Sequence, residues 1–270
     1  RIRLLALLLA PFRSFAQVNT DQVIRVGQNA LYFEDYVLSI QYFNQAIQAK
    51  PYLAQPYLLR AIAKFNLDDW RGAEADASKA IELNPFLPDA WEVRGVARQN
   101  LQKNAEAVGD YDRALGLLPR NRQLMFNRAM ALSEMDDFAA ADSAFTQILE
   151  YYPNYDNAYL GRAKLRLEQA DTAAAAQDID RALEINPNTV NGYILRADIS
   201  INQRKDYENA LKDMNEAIKL EPRLAGLYIN RAFLRHELND YFGAMADYDY
   251  SLQLDPNNLT ALFNRGLLRM

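Results

Sequence analysis

Seven arginines recur along this chain at near-constant intervals: Arg60, Arg94, Arg128, Arg162, Arg196, Arg231 and Arg265. An aspartate follows five of them sixteen residues on, or seventeen in the case of Arg196: Asp76, Asp110, Asp178, Asp213 and Asp247. Two kinds of chemistry suit such rows. Guanidiniums aligned on one face can bind anions. Alternatively, each arginine forks onto its aspartate, and the pairs hold two helices in register. The co-occurrence favours the second, because a paired arginine keeps few donors for a ligand. The stretch before Arg60 has Val26 and Tyr42 at the equivalent places and lacks both members, while Arg128 is followed by Ala144 instead of an acid. The expected pairs are Arg60 with Asp76, Arg94 with Asp110, Arg162 with Asp178, Arg196 with Asp213 and Arg231 with Asp247, within a hairpin rather than between neighbours.

Other reactive chemistry is sparse. The chain has no cysteine, which excludes disulfides, thiolate metal sites and cysteine nucleophiles. His236 is its single histidine, too few for a histidine zinc site or a catalytic dyad. No glycine-rich phosphate loop is present. A net charge of −5 disfavours a nucleic-acid partner, whose affinity would come from clustered Lys and Arg. The expectation is a protein with no cofactor, no metal and no enzymatic activity. At 50% apolar and 24% charged residues it has the composition of a folded chain.

The elements that position the arginines follow from the prolines. These fall at 51, 85, 119, 153, 187, 222 and 256, so the period is 34 residues with one step of 35. Such a period marks stacked supersecondary units. Within each, apolar residues recur at three- and four-residue spacing over two stretches, as in 56–65 and 70–83, the signature of two helices. An aspartate precedes most second stretches, as in Asp69, Asp137, Asp206 and Asp240, where it can cap the helix. Proline ends the second helix because it cannot donate to the ladder. The extra residue of the sixth period lies within 202–206, in the turn, where an insertion disturbs packing least.

This pattern resembles the tetratricopeptide repeat family, whose unit is a 34-residue helix–turn–helix. The resemblance implies an all-α fold, a right-handed α-solenoid. The units are 20–53, 54–87, 88–121, 122–155, 156–189, 190–224 and 225–258, and 259–270 holds the first helix of an eighth. Small residues stand at the eighth place of each unit (Gly27, Ala61, Gly95, Ala129, Ala163, Ala197, Ala232, Gly266) and at the twentieth (Ser39, Ala73, Ala107, Ala141, Ala175, Ala210, Ala244). A bulky residue fills the fourth, as in Tyr57, Trp91, Tyr159, Tyr193 and Tyr228. Ile148 and Ser251 depart from the family's alanine, and Asn104 and Thr172 from its aromatic.

By the same resemblance, first helices line a concave groove. The residues implied to line it are Leu58, Ile62, Phe126, Asn127, Met130, Ile194, Ile229, Asn230, Phe233, His236, Phe263 and Asn264. Exposed apolar groups in such a row mark an interaction surface, and asparagine amides can hold a peptide backbone by donating and accepting together. The strongest site is expected between the fourth and eighth units. The expected partner is a protein or peptide. The lysines and asparagines of the family's carboxylate clamp are missing, which argues against chaperone-type binding.

Residues 1–16 read differently. Arg1 and Arg3 precede the apolar run Leu4–Ala10, and Ser14 and Ala16 are small, the pattern of a signal peptide cut before Gln17. The run is too short for a stable membrane anchor. The expectation is a binding scaffold in the periplasm or outside the cell. The alternatives are an envelope factor that associates with polysaccharide or peptidoglycan through tyrosines, and a non-catalytic repeat part of a longer multidomain protein.

Overall fold

A computed structural model of the chain describes residues 19–269. The expected leader at 1–16 lies outside these residues. Among them every regular element is helical, and they fall into two compact units that meet at Pro119 and Arg120.

The first unit holds α1 (Thr20–Tyr32), α2 (Tyr36–Ala49), α3 (Ala54–Phe65), α4 (Trp70–Leu83), α5 (Pro88–Asn100) and α6 (Asn104–Leu117). The second holds α7 (Arg122–Ser133), α8 (Phe138–Tyr151), α9 (Asp156–Glu168), α10 (Thr172–Ile185), α11 (Val190–Ile199), α12 (Tyr207–Leu220), α13 (Ala225–Glu237), α14 (Tyr241–Leu254) and α15 (Leu259–Leu268). Within each unit every helix packs on the next in sequence, so hairpins stack on hairpins. No second helix follows α15 among the described residues.

Buried alanines make the close approach possible. Ala61, Ala73 and Ala77 of one hairpin are fully buried, and so are Ala163 and Ala175, which share one core cluster. In two hairpins the second helix carries a large buried ring and the first carries glycine beside it. A methyl group on Gly95 would stand 2.7 Å from the Tyr111 ring, and one on Gly27 2.7 Å from Phe43. Tyr111 and Phe43 are themselves fully buried. Each such ring is worth about 1.5–3 kcal/mol of transfer free energy, which is why the glycine's poor helix propensity is tolerated. Ile148 and Ser251, the two departures from alanine, are also fully buried, and the Ser251 hydroxyl has no hydrogen-bond partner.

One device joins the two helices of every hairpin. The residue before the second helix's cap has positive φ: Glu34, Asp68, Gln102, Asp136, Ala170, Lys205 and Asn239. None is glycine. This left-handed residue turns the chain so that the next backbone N–H reaches back into the first helix, as from Asp69 to the Lys64 carbonyl at 3.0 Å and from Asp171 to Arg166 at 2.8 Å. That is the Schellman closure of a helix C-terminus. The same aspartate then caps the second helix. Asp69 Oδ1 accepts from the Gly72 N–H at 2.9 Å, and Asp35, Asp137, Asp171, Asp206 and Asp240 do likewise. Lys103 stands at the corresponding place before α6 and makes no side-chain cap.

The extra residue of the sixth period is not a longer turn. After α11 the chain widens into a π-helical turn, Ser200–Arg204, before left-handed Lys205. The closing bond then runs from Asp206 N–H to the Ser200 carbonyl, one residue further back than in the other hairpins. A π turn is the usual way a helix absorbs one residue. The helix gives way because the closure and cap must keep their geometry.

Candidate ligand-binding groove

The arginine row forms a ladder of ion pairs inside each unit. Arg94 donates from Nε and Nη2 to the two oxygens of Asp110, at 3.0 and 2.7 Å. Arg60 forks on Asp76, Arg162 on Asp178, Arg196 on Asp213 and Arg231 on Asp247 in the same way. Each pair joins the two helices of one hairpin, and all five aspartates are buried. The third donor points backwards. Nη1 of Arg60 meets Asn44, that of Arg94 meets Ser78, that of Arg162 meets Thr146 and that of Arg231 meets Asn215, each sixteen residues earlier on the preceding hairpin. Arg196 and Arg265 reach Asp180 and Asp249 likewise.

Two further groups complete the arrangement and were not anticipated from the sequence. One turn after the arginine a second cation meets the same aspartate: Lys64 on Asp76 at 2.8 Å, Arg98 on Asp110 at 2.8 Å, Arg166 on Asp178 at 2.7 Å and Arg235 on Asp247 at 2.9 Å. The signal was present as a base four residues after the arginine. One turn before it, the aromatic ring at the fourth place lies under the guanidinium, as Trp91 under Arg94 at 4.7 Å and Tyr228 under Arg231 at 5.3 Å. The polar end of that ring donates to the carbonyl of the preceding hairpin's proline: Trp91 to Pro85, Tyr159 to Pro153, Tyr193 to Pro187, Tyr228 to Pro222. With their donors engaged, these arginines are register elements and leave no row of open anion sites.

The expected groove residues divide into two sets. Leu58 does not line a groove. It is 8% exposed, in a cluster with Ala80 and Ile81 of its own hairpin and Ala90 of the next, and Ile62 packs on the same cluster. Ile194 and Ile229 also lie against core clusters, and Phe126 is half-buried with its ring against Phe145 and Tyr155. Leu58, Phe126, Ile194, Ile229 and Phe263 share the fifth place of the unit. That place packs towards the following hairpin, which covers it at Leu58. Phe263, on α15, is 66% exposed, and no further hairpin lies beyond it among the described residues. Met130 is half-buried, and Asn127 accepts from Gln123 at 2.8 Å.

The other set meets in the second unit. Phe233 and His236 of α13 and Asn264 of α15 face one cleft of about 580 Å³. Glu237, Tyr241, Tyr248, Leu267 and Leu268 complete its walls. Asn230, one turn before Phe233, is exposed. Phe233 is 40% exposed and its edge is fixed by Tyr207, ring centres 6.4 Å apart. His236 is set edge-on to Tyr241 at 5.5 Å, and its Nδ1 is 3.3 Å from a Glu237 oxygen. Burial pushes the Tyr248 hydroxyl above the usual tyrosine range, although it hydrogen-bonds Asn264. The cleft therefore offers three aromatic rings, two leucines, an amide and one carboxylate, within the size range of small-ligand sites.

Two carboxylates on first helices stand without compensation. Asp198 on α11 is raised above the usual carboxylate range by burial alone. Glu92 on α5, in the first unit, is raised by burial and then by the charge of Asp89. Glu74 shows the opposite balance. Burial pushes it up, but hydrogen bonds from Lys103 and Arg98 outweigh that and hold it low. Among the described residues no group of three or more His, Asp or Glu is placed to hold a metal ion, and no helix is long and apolar enough to cross a membrane.

Stacked hairpins locked in register, with a cleft walled by α13, α14 and α15, define an all-α helical-repeat scaffold for protein–protein interaction. A tetratricopeptide repeat model matches residues 58–122 and 126–189, and a second model of that repeat matches 190–224. The chain belongs to the tetratricopeptide repeat family, whose members are in general non-catalytic scaffolds. No curated protein matches it. Among solved structures it is similar to a tetratricopeptide repeat protein from Parabacteroides merdae, with 17% identity over 93% of this chain and 99% of that one, and a TM-score of 0.74. PilF of Pseudomonas aeruginosa is 18% identical over 79% of this chain and 97% of its own, with a TM-score of 0.63. The C-terminal part of a repeat protein from Cytophaga hutchinsonii is 17% identical over 89% of this chain and 98% of that one, with a TM-score of 0.62. At these identities the likeness is one of fold.

Proposed function

We propose that the chain holds a peptide or protein segment on the first-helix face of its second unit, anchored at the cleft between α13 and α15. The observation that carries this is Phe233, a large ring left 40% exposed in a cleft of about 580 Å³ whose wall also holds the Asn264 amide. Aromatic anchors in such clefts dominate interface energies, with truncation costs of about 2 kcal/mol or more at true hot spots. Four of the rings that a polysaccharide could use, Trp91, Tyr159, Tyr193 and Tyr228, are already held by proline carbonyls and guanidiniums. The leader pattern in residues 1–16 supports action outside the cytoplasm, in the periplasm or beyond the cell.

The test is capture from an envelope extract on the immobilised chain. Phe233→Ala combined with Asn230→Ala should weaken capture about tenfold or more, the loss expected of one hot spot with its neighbour, while circular dichroism stays unchanged. Undiminished capture by that variant, together with loss on changing exposed residues of second helices, would move the binding surface to the opposite face.

A further inference from the structure

Throughout the chain, an aromatic ring and a carboxylate set close together hold an arginine. Tyr228 and Asp247 hold Arg231 this way, Trp91 and Asp110 hold Arg94, and Tyr159 and Asp178 hold Arg162. The cleft between α13 and α15 brings together the same two kinds of group with no arginine between them. Phe233 and Tyr241 supply ring faces and edges, and Glu237 supplies the carboxylate. Glu237 lines the cleft, and among the described residues its carboxylate meets the His236 ring at 3.3 Å through one oxygen. No lysine or arginine lines the cleft. Asn264 stands in the same wall, hydrogen-bonded to the Tyr248 hydroxyl.

We propose that this cleft takes an arginine side chain presented by the partner segment. The guanidinium lies against the Phe233 or Tyr241 ring and donates to Glu237, while Leu267 and Leu268 cover its methylene stem. A planar, weakly hydrated cation fits a slot of rings and one carboxylate better than the compact, strongly hydrated ammonium of lysine. An acidic segment is disfavoured, because Glu237 would repel it. The inference rests on the groove reading given above and names the partner residue that the groove selects.

His236 is the single histidine of the chain, so its ring resonances report on this cleft alone. The experiment is a titration of the histidine-labelled full chain, followed by NMR. The probes are acetyl-Ala-Arg-Ala-amide and the same peptide with citrulline, which keeps the planar shape and loses the charge. The arginine peptide should shift the His236 signals at least fivefold more tightly than the citrulline peptide. Glu237→Gln should abolish that preference. The contrast in the native chain stands even if the variant is perturbed. Equal affinity for the two peptides would overturn the arginine assignment and leave a groove that binds neutral segments. No His236 response to either peptide would overturn the assignment too, and the groove would then rest on the capture experiment alone.

Discussion

Asp198 illustrates what a single residue contributes when its surroundings do not match it. It sits half-buried on α11, its side chain without an ion pair among the described residues, and burial raises its pKa. A carboxyl raised in the folded state favours folding in its protonated form. Its contribution to stability is therefore lost as pH rises through the folded value, and at neutral pH the ionised group opposes folding. Asp198→Asn should raise the melting temperature at pH 7, and the gain should vanish in melts run below the ordinary aspartate range. A gain that persists undiminished in acid would show that charge burial is not the cause. The arginines and aspartates were legible as pairs because they repeat with the period. Asp198 was not, since it occurs once and only packing shows that water is kept from it. Leu58 was misassigned for a related reason: its cover is Ala90, on the next hairpin, and periodicity does not say which neighbour a face meets.

At the scale of the helix and its turn, the aspartate between two helices closes one with its N–H and starts the other with its carboxylate. The cap was readable from residue type, but the left-handed residue before it was not, because Glu, Asp, Gln, Ala, Lys and Asn all occupy it and glycine never does. Ala170 lacks even the local hydrogen bonding that lets Asn or Asp tolerate that conformation. Ala170→Gly should therefore stabilise the array by about 1 kcal/mol, since the left-handed penalty for a residue with Cβ is roughly 1–2 kcal/mol and glycine's extra chain entropy returns part of it. A fall in the denaturation midpoint would reject this. The ladder gives a second test. Asp110 is buried and holds both Arg94 and Arg98. Asp110→Ala strands the Arg94 cation and should cost about 3 kcal/mol or more, whereas Arg94→Met with Asp110→Leu should cost less, because no buried charge is then left without its partner and Arg98 keeps Glu74 and Glu106 in both variants. Chemical denaturation of the two variants decides it; equal losses would mean that the pair is energetically inert.

Across the whole molecule the repeat was legible from proline spacing alone, and the extra residue of the sixth period was located but not its form. Whether residues 1–16 direct export belongs to this scale as well. In a secreting host the mature chain should begin at Gln17, as read by mass spectrometry of the released protein; an intact leader on a soluble product would refute cleavage there. One feature of the ladder bears on how such a chain changes over generations. Arg60 is tied to Asn44 behind it and Asp76 ahead, and Arg94 to Ser78 and Asp110, with the same offset of sixteen residues on each side. Excising one full period between these points would bring Arg94 opposite Asn44, whose amide oxygen accepts a hydrogen bond as readily as the Ser78 hydroxyl oxygen does. Duplicating a period would repeat the tie in the same way. Unequal crossing-over between the gene's own repeats can thus shorten or lengthen the protein while every new junction inherits a matched donor and acceptor.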